Sequence, residues 1–152
     1  MHDTETKSAI FVCVHNSARS QMGEAFLKKH GANLFSRVES GGIEAGSLNP
    51  LVVQAMEEVG IDISNNRAKP AMEFVRTGTH FDYVITVCDA ASAERCPIFP
   101  GINTRLRWSF ADPSTLTGSD EEKLRAIRII RDEIGETVQN WCESIRINGY
   151  PR

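Results

Sequence analysis

A chain of 152 residues with a net charge of -3 has the length of one domain, buries roughly 70% of the surface its unfolded form exposes, and needs neither disulfide nor metal to fold. With 17 Lys and Arg against 20 Asp and Glu, it carries neither the basic footprint of a nucleic-acid binder nor a polybasic membrane patch, so any anion must be held locally. The polar start Met1-His2-Asp3-Thr4-Glu5 and an early apolar run of only six residues, Ala9 to Val14, argue against a signal peptide or a spanning segment; the four cysteines, Cys13, Cys88, Cys96 and Cys142, are therefore expected in a reducing cytoplasm, where they suggest metal or redox chemistry.

Ser8 to Val14 reads as a strand buried on both faces and ends in a polar loop. From Ser20 the period becomes helical through Met22, Ala25 and Phe26, with Gly31 as the stop. Leu34 to Ser40 is a weaker strand closed by Gly41-Gly42. A helix follows, capped by Asn49 with Pro50 at its first position, facing inward with Val52, Ala55, Met56 and Val59 and ending at Gly60. Lys69 to Arg76 predicts a short helix, Phe81 to Val87 a second buried strand, and Thr104 to Phe110 an alternating strand before the loop Ala111 to Gly118. Ser119-Asp120-Glu121-Glu122 is a capping box opening a last helix with Ile127, Ile130, Ile134, Val138, Trp141 and Ile145 on one face. The alternation predicts a single α/β domain over residues 1–152, a doubly wound four-stranded parallel sheet with right-handed crossovers and helices on both faces. Ligands of such sheets bind at the carboxyl ends of the strands, where the loops begin near Cys13, Cys88 and Asp112.

The first loop, Cys13-Val14-His15-Asn16-Ser17-Ala18-Arg19-Ser20, sets a cysteine and an arginine with five residues between them, placed between a buried strand and a helix start. Such a loop aims backbone N–H groups of Val14, His15, Asn16, Ser17, Ala18 and Arg19 into one concavity, which together with the helix dipole suits a tetrahedral oxyanion. Arg19 adds a bidentate fork, the same field is expected to favour the Cys13 thiolate, and Ser20 can donate a hydrogen bond to that sulfur. A core cysteine would need none of these partners. Asp112-Pro113 places a carboxyl on a neighbouring loop, able to protonate a departing oxygen.

Val12 to Ser20 together with Asp112-Pro113 resembles the low-molecular-weight protein tyrosine phosphatase family over nearly the whole chain, and within it the thioredoxin-coupled arsenate reductases. Supporting segments are Ser17-Ala18-Arg19-Ser20-Gln21-Met22-Gly23-Glu24, Ser40-Gly41-Gly42-Ile43-Glu44, Ile61-Asp62-Ile63-Ser64, and Val87-Cys88-Asp89 leading to Cys96-Pro97. The resemblance implies a flavodoxin-like sheet, a cytoplasmic monomer with no tightly bound cofactor, arsenate or phosphate as the oxyanion, and a role in arsenic detoxification.

A phosphatase needs only Cys13, Arg19 and Asp112, whereas a reductase must deliver two electrons. Cys88 and Cys96, with seven residues between them on a loop of the active edge, can accept an oxidising equivalent and carry it outward to thioredoxin, provided that the loop after Cys88 is mobile. Phosphatases of this family present tyrosines after the Asp-Pro, but this chain has Ser114-Thr115, and its two tyrosines are Tyr83 and Tyr150. The reductase is therefore the favoured reading and a phosphatase the alternative; a phospho-ligand binding module is disfavoured because nucleophile, acid and arginine are all present. No metal site is expected, since no histidine lies near Cys88 or Cys96 and His2, His30 and His80 form no ligand spacing. His15 either shapes the pocket or faces solvent. Cys142, beside Trp141, reads as a bystander, and Trp108 as packing.

The resemblance further implies that Asn16 and Ser40 support the loop, bonded to each other or to a cation. Relatives bind potassium there with Asn, Glu, Ser and Asp; Asn16, Glu24 and Ser40 match, but Lys69 stands at the Asp position. An ammonium beside Glu24 could occupy that cation site, which argues against potassium dependence.

Overall fold

The computed structural model describes residues 5–44 and 46–152, so the start of the chain, including His2, lies outside the described residues. Four strands, β1 (Lys7–Cys13), β2 (Phe35–Gly42), β3 (Tyr83–Thr86) and β4 (Thr104–Arg107), form one sheet in the order β2-β1-β3-β4, every neighbouring pair parallel. The helices are α1 (Arg19–His30), α2 (Pro50–Glu57), α3 (Met72–Arg76), α4 (Ala90–Ala93) and α5 (Asp120–Asn148).

The apolar run of β1 shows why it is central. Ala9, Phe11 and Cys13 face one apolar cluster with Met22, Phe26 and Leu27 of α1, Val52, Ala55 and Met56 of α2, and Ile127, Ile130, Ile134, Val138 and Ile145 of α5. Ile10 and Val12 face a second cluster with Phe74 of α3 and Ala71, Phe81, Val84, Cys96 and Phe99. Alternation along a strand with both faces covered leaves no polar position. Ile127, Ile130, Ile134 and Ile145 of α5 are almost fully buried, each contributing about 1.5–3 kcal/mol relative to exposure, and the Ser119–Glu122 capping box closes both halves of its hydrogen-bond pair. Gly23 of α1 lets the helix lie against the sheet: a Cβ there would come within 2.6 Å of the Phe11 ring.

Several predicted boundaries are corrected. The short helix starts at Met72, not Lys69, because Lys69 and Pro70 bridge to Gly42: Gly42 N donates to Lys69 O, and Ala71 N to Gly42 O. The second helix stops at Glu57, and Gly60, at φ +81°, ends the turn beyond it. The alternating strand stops at Arg107; Trp108 N still donates to Thr86 O, after which the chain turns to Asp112. The buried strand keeps only Tyr83–Thr86, although Val87 N still donates to Val12 O. The segment after Cys88, expected as a mobile loop, holds the one-turn helix α4, capped by the Asp89 carboxylate accepting from Ser92 N.

The chain leaves β1 for one side of the sheet and β3 for the other, so the crevice opens between their carboxyl ends, where Cys13 and Cys88 sit. Among the described residues no helix is long and apolar enough to cross a membrane.

Candidate active site

The loop from Cys13 to Ala18 turns its carbonyls outward. Ile43, Glu44, Gly46 and Asn49 donate backbone N–H bonds to the oxygens of Cys13, Val14, His15 and Ser17, Met22 N donates to Ala18 O, and Gln21 Nε2 donates to Asn16 O. No described peptide is cis, and a trans peptide sets each C=O opposite the following N–H, so the N–H groups of Val14 to Arg19 are directed toward the inside of the loop, at the start of α1. Asn16 is the hub. It is fully buried at φ 54°, its Nδ2 donates to Ser20 Oγ at 2.7 Å, and its Oδ1 accepts from Gln21 Nε2 and from Lys69 N. The left-handed conformation is one that Asn tolerates better than most residues, and four hydrogen bonds hold it there.

Ser20 Oγ lies 2.8 Å from Cys13 Sγ. Because that oxygen already accepts from Asn16, its own hydrogen is free to point at the sulfur when Cys13 is a thiolate. Arg19 is 4% exposed: its Nη1 donates to Phe110 O at 3.2 Å and its Nη2 lies 3.3 Å from Asp112 Oδ2. Its Nε is buried without a hydrogen-bond partner, a costly arrangement unless a ligand supplies the acceptor. Asp112 is aimed by its own turn, Oδ1 accepting from Ser114 N and Ser114 Oγ. A cysteine sulfur, a guanidinium paired with a half-buried carboxyl, and inward amides thus share one loop end of the sheet, an arrangement suited to displacement at a tetrahedral oxyanion.

All four cysteines are free and buried. Cys88 packs in the cluster that holds Cys13 and feels both the Cys13 sulfur and the Arg19 guanidinium. Burial pushes its thiol up, with Arg19 opposing. Cys96, on the loop expected to carry an oxidising equivalent outward, is buried in the cluster on the other face, and burial raises its thiol too, as it does for Cys142. Three thiols that keep their protons longer in the folded state than in the unfolded chain favour folding fully below about pH 9, and that contribution is lost as pH rises past their folded values. Urea midpoints measured from pH 7 to 11 are therefore expected to fall above pH 9, and less steeply in Cys142→Ala.

The support anticipated between Asn16 and Ser40 is not a bond between those two. Ser40 Oγ donates to Glu24 Oε1, and the same carboxylate meets Lys28 Nζ, with Lys69 Nζ at 4.0 Å. His15 is exposed, and Trp108 packs between Phe11 and Trp141. Sequence reasoning missed Gln21 and Asn66: Gln21 ties Asn16 to Arg67 O and accepts from Asn66 Nδ2, fastening the loop to the 66–69 segment. The signal for Gln21 was only a polar residue in the first turn of α1, and Asn66, outside any helix or strand, gave none.

The family model described as low molecular weight phosphotyrosine protein phosphatase matches residues 8–149. An arsenate reductase of Bacillus licheniformis is 41% identical over 138 residues, 91% of this chain and 96% of that protein. A solved structure described as an arsenate reductase in oxidized state superposes with a TM-score of 0.75 at 32% identity, over 92% of this chain and 99% of that one. Another, an arsenate reductase in the phosphate binding state, gives a TM-score of 0.69 at 32% identity, over the same shares.

Proposed function

The chain belongs to the low molecular weight phosphotyrosine protein phosphatase family, and we propose that within it this protein reduces arsenate to arsenite through a cysteine relay re-reduced by thioredoxin. The observation that carries this reading is Cys88: a second thiol buried in the same cluster as the nucleophile, within electrostatic reach of Cys13 and Arg19, has no task in phosphate ester hydrolysis. The relatives named arsenate reductase favour the same substrate.

Arsenate takes the place prepared by the inward amides, displacing Asp112 from part of the Arg19 fork, and Arg19 Nε gains its acceptor. Cys13 attacks arsenic, and one oxygen leaves as water with a proton from Asp112. Cys88 then gives up its proton and attacks the Cys13 sulfur; the sulfur–arsenic bond breaks, its electron pair stays on arsenic, and arsenite departs from a Cys13–Cys88 disulfide. Cys96 attacks Cys88, releasing Cys13 as thiolate, and thioredoxin, a dithiol, reduces the Cys88–Cys96 bond. Since Cys96 starts on the opposite face, the segment from Asp89 to Phe99 must move. Up to Arg95 it is weakly held, since of α4 only Ala93 is buried and the Arg95–Glu44 ion pair is exposed, whereas Cys96 must leave a buried seat beside Phe99. Free thiols of this kind persist in a reducing cytoplasm.

The phosphatase alternative lacks an aromatic wall, because Ser114 and Thr115 occupy the turn after Asp112, where they serve that residue. Weak aryl phosphate hydrolysis is still expected, since the loop cannot reject phosphate. Steady-state assays separate the two: arsenite formation that requires thioredoxin and outpaces aryl phosphate hydrolysis is the expected result, and the reverse order would favour the phosphatase.

We further propose that Lys69 supplies the positive charge that a potassium ion brings to relatives. The residues present do not fit a further cation, because Glu24 already meets Ser40, Lys28 and Lys69. Titrating KCl against NaCl is expected to give identical melting temperatures and turnover; a potassium-specific gain would refute the substitution.

A further inference from the structure

Strand β4 carries two arginines that the mechanism does not use. In its register Arg105 pairs with Val84 and Arg107 with Thr86. Leu106 packs toward the first cluster, so the two-residue period puts Arg105 and Arg107 on the opposite face, the one that holds Val84 and Cys96. Both line a cleft of about 420 Å³ together with Thr86, Ala93 and Glu94, the last two belonging to the segment that ends at Cys96. Among the described residues neither arginine is in an ion pair, although the chain is acidic overall. The Cys96 thiol itself donates to Pro97 O, and the Arg105 guanidinium is close enough to favour its thiolate against the effect of burial. Arg107 lies about 6.6 Å further along the strand, toward the end where Cys88 sits.

We propose that Arg105 and Arg107 are positioning residues for the thiol exchange, stabilising the Cys96 thiolate as it leaves its buried seat and closes on Cys88; this rests on the relay reading above. In that step Cys96 loses its proton to water and attacks Cys88 of the Cys13–Cys88 disulfide. The Cys88–Cys96 bond forms, the Cys13–Cys88 bond breaks, and the electron pair leaves on Cys13. At rest burial outweighs the guanidinium and keeps Cys96 protonated and inert. Movement of the α4 segment admits water, while the two arginines stay fixed to the sheet. The other charges around Cys96 are Glu94, opposing them across the cleft, Arg95, tied to Glu44, and Arg37, which lies over the Phe74 and Phe81 rings and is paired with Glu39.

The test uses the reduced full-length protein mixed with arsenate, acid-quenched at intervals and mapped for disulfides. Arg105→Met and Arg107→Met are expected to release arsenite and form Cys13–Cys88 at the wild-type rate. Each should convert it to Cys88–Cys96 about 10-fold more slowly at pH 7, with the pH profile of conversion displaced upward by about one unit and largely restored in Arg105→Lys. Conversion at the wild-type rate and pH profile in both Met variants overturns this inference and leaves the relay standing. No Cys88–Cys96 disulfide in the wild type overturns both. Equal slowing of both stages with a lowered melting temperature marks a structural role and also overturns it.

Discussion

Cys88→Ser is expected to lower arsenite release at least about 1,000-fold, as loss of a reacting nucleophile does, while phosphate binding and the melting temperature stay close to wild type. Cys13 alone can form a bond to arsenic but has no second electron pair to leave behind. On the proposed relay the reduction waits on a thiol that can reach the Cys13 sulfur; Cys142 shares the cluster from α5, but Cys88 follows the neighbouring strand β3 and is the one that feels the Cys13 sulfur. Cys96→Ser should behave differently: one equivalent of arsenite per protein, then arrest with a Cys13–Cys88 disulfide. Repeated turnover of Cys96→Ser with thioredoxin at the wild-type rate would remove Cys96 from the mechanism. Because burial pushes the Cys88 thiol above its ordinary value of about 9, the step it performs should accelerate with rising pH throughout the neutral range, with Arg19 limiting the shift.

Arg19→Lys should cost about 100- to 1,000-fold in kcat/KM for arsenate, the loss seen when one donor to a developing oxyanion is removed. Arginine performs three tasks here that one ammonium cannot: it holds the Phe110 carbonyl, aims at the Asp112 carboxylate, and presents a buried Nε to the oxyanion. Oxyanion affinity measured by phosphate titration should fall with it, while near-ultraviolet dichroism from the Trp108–Trp141 pair reports an unchanged core. Unaltered phosphate affinity in Arg19→Lys would move the anion site elsewhere.

The parts of this site that were legible in the sequence are those where one residue type does one thing. A continuous apolar run followed by Cys13, Arg19 and Ser20 predicts a strand, an anion loop and a helix start; the strand and the helix start are found, with Ser20 against the Cys13 sulfur across the loop between them. The Ser119–Glu122 pair gave the start of α5 for the same reason. Less legible were residues that serve the backbone. Gln21, quoted only within the segment that carries the resemblance, and Asn66, which is in no motif, together with Asn16 fix the loop. Lys69 was read for its charge, while its main-chain N–H also binds Asn16. The four residues of α4 are too short to show a period, and its only local mark is Asp89 three positions before Ser92. The seat of Cys96 depends on Phe74, Phe81 and Phe99 meeting over the far face of the sheet, a long-range event that Cys96-Pro97 does not announce.

The most direct test of the central claim is thiol counting after a single exposure to arsenate. Reduced protein incubated with arsenate and no donor is expected to release one arsenite per chain, lose two thiols, and yield a Cys88–Cys96 disulfide on mapping, with Cys13 and Cys142 free. An unchanged thiol count together with rapid aryl phosphate hydrolysis would contradict the relay and return the protein to the phosphatases of its family.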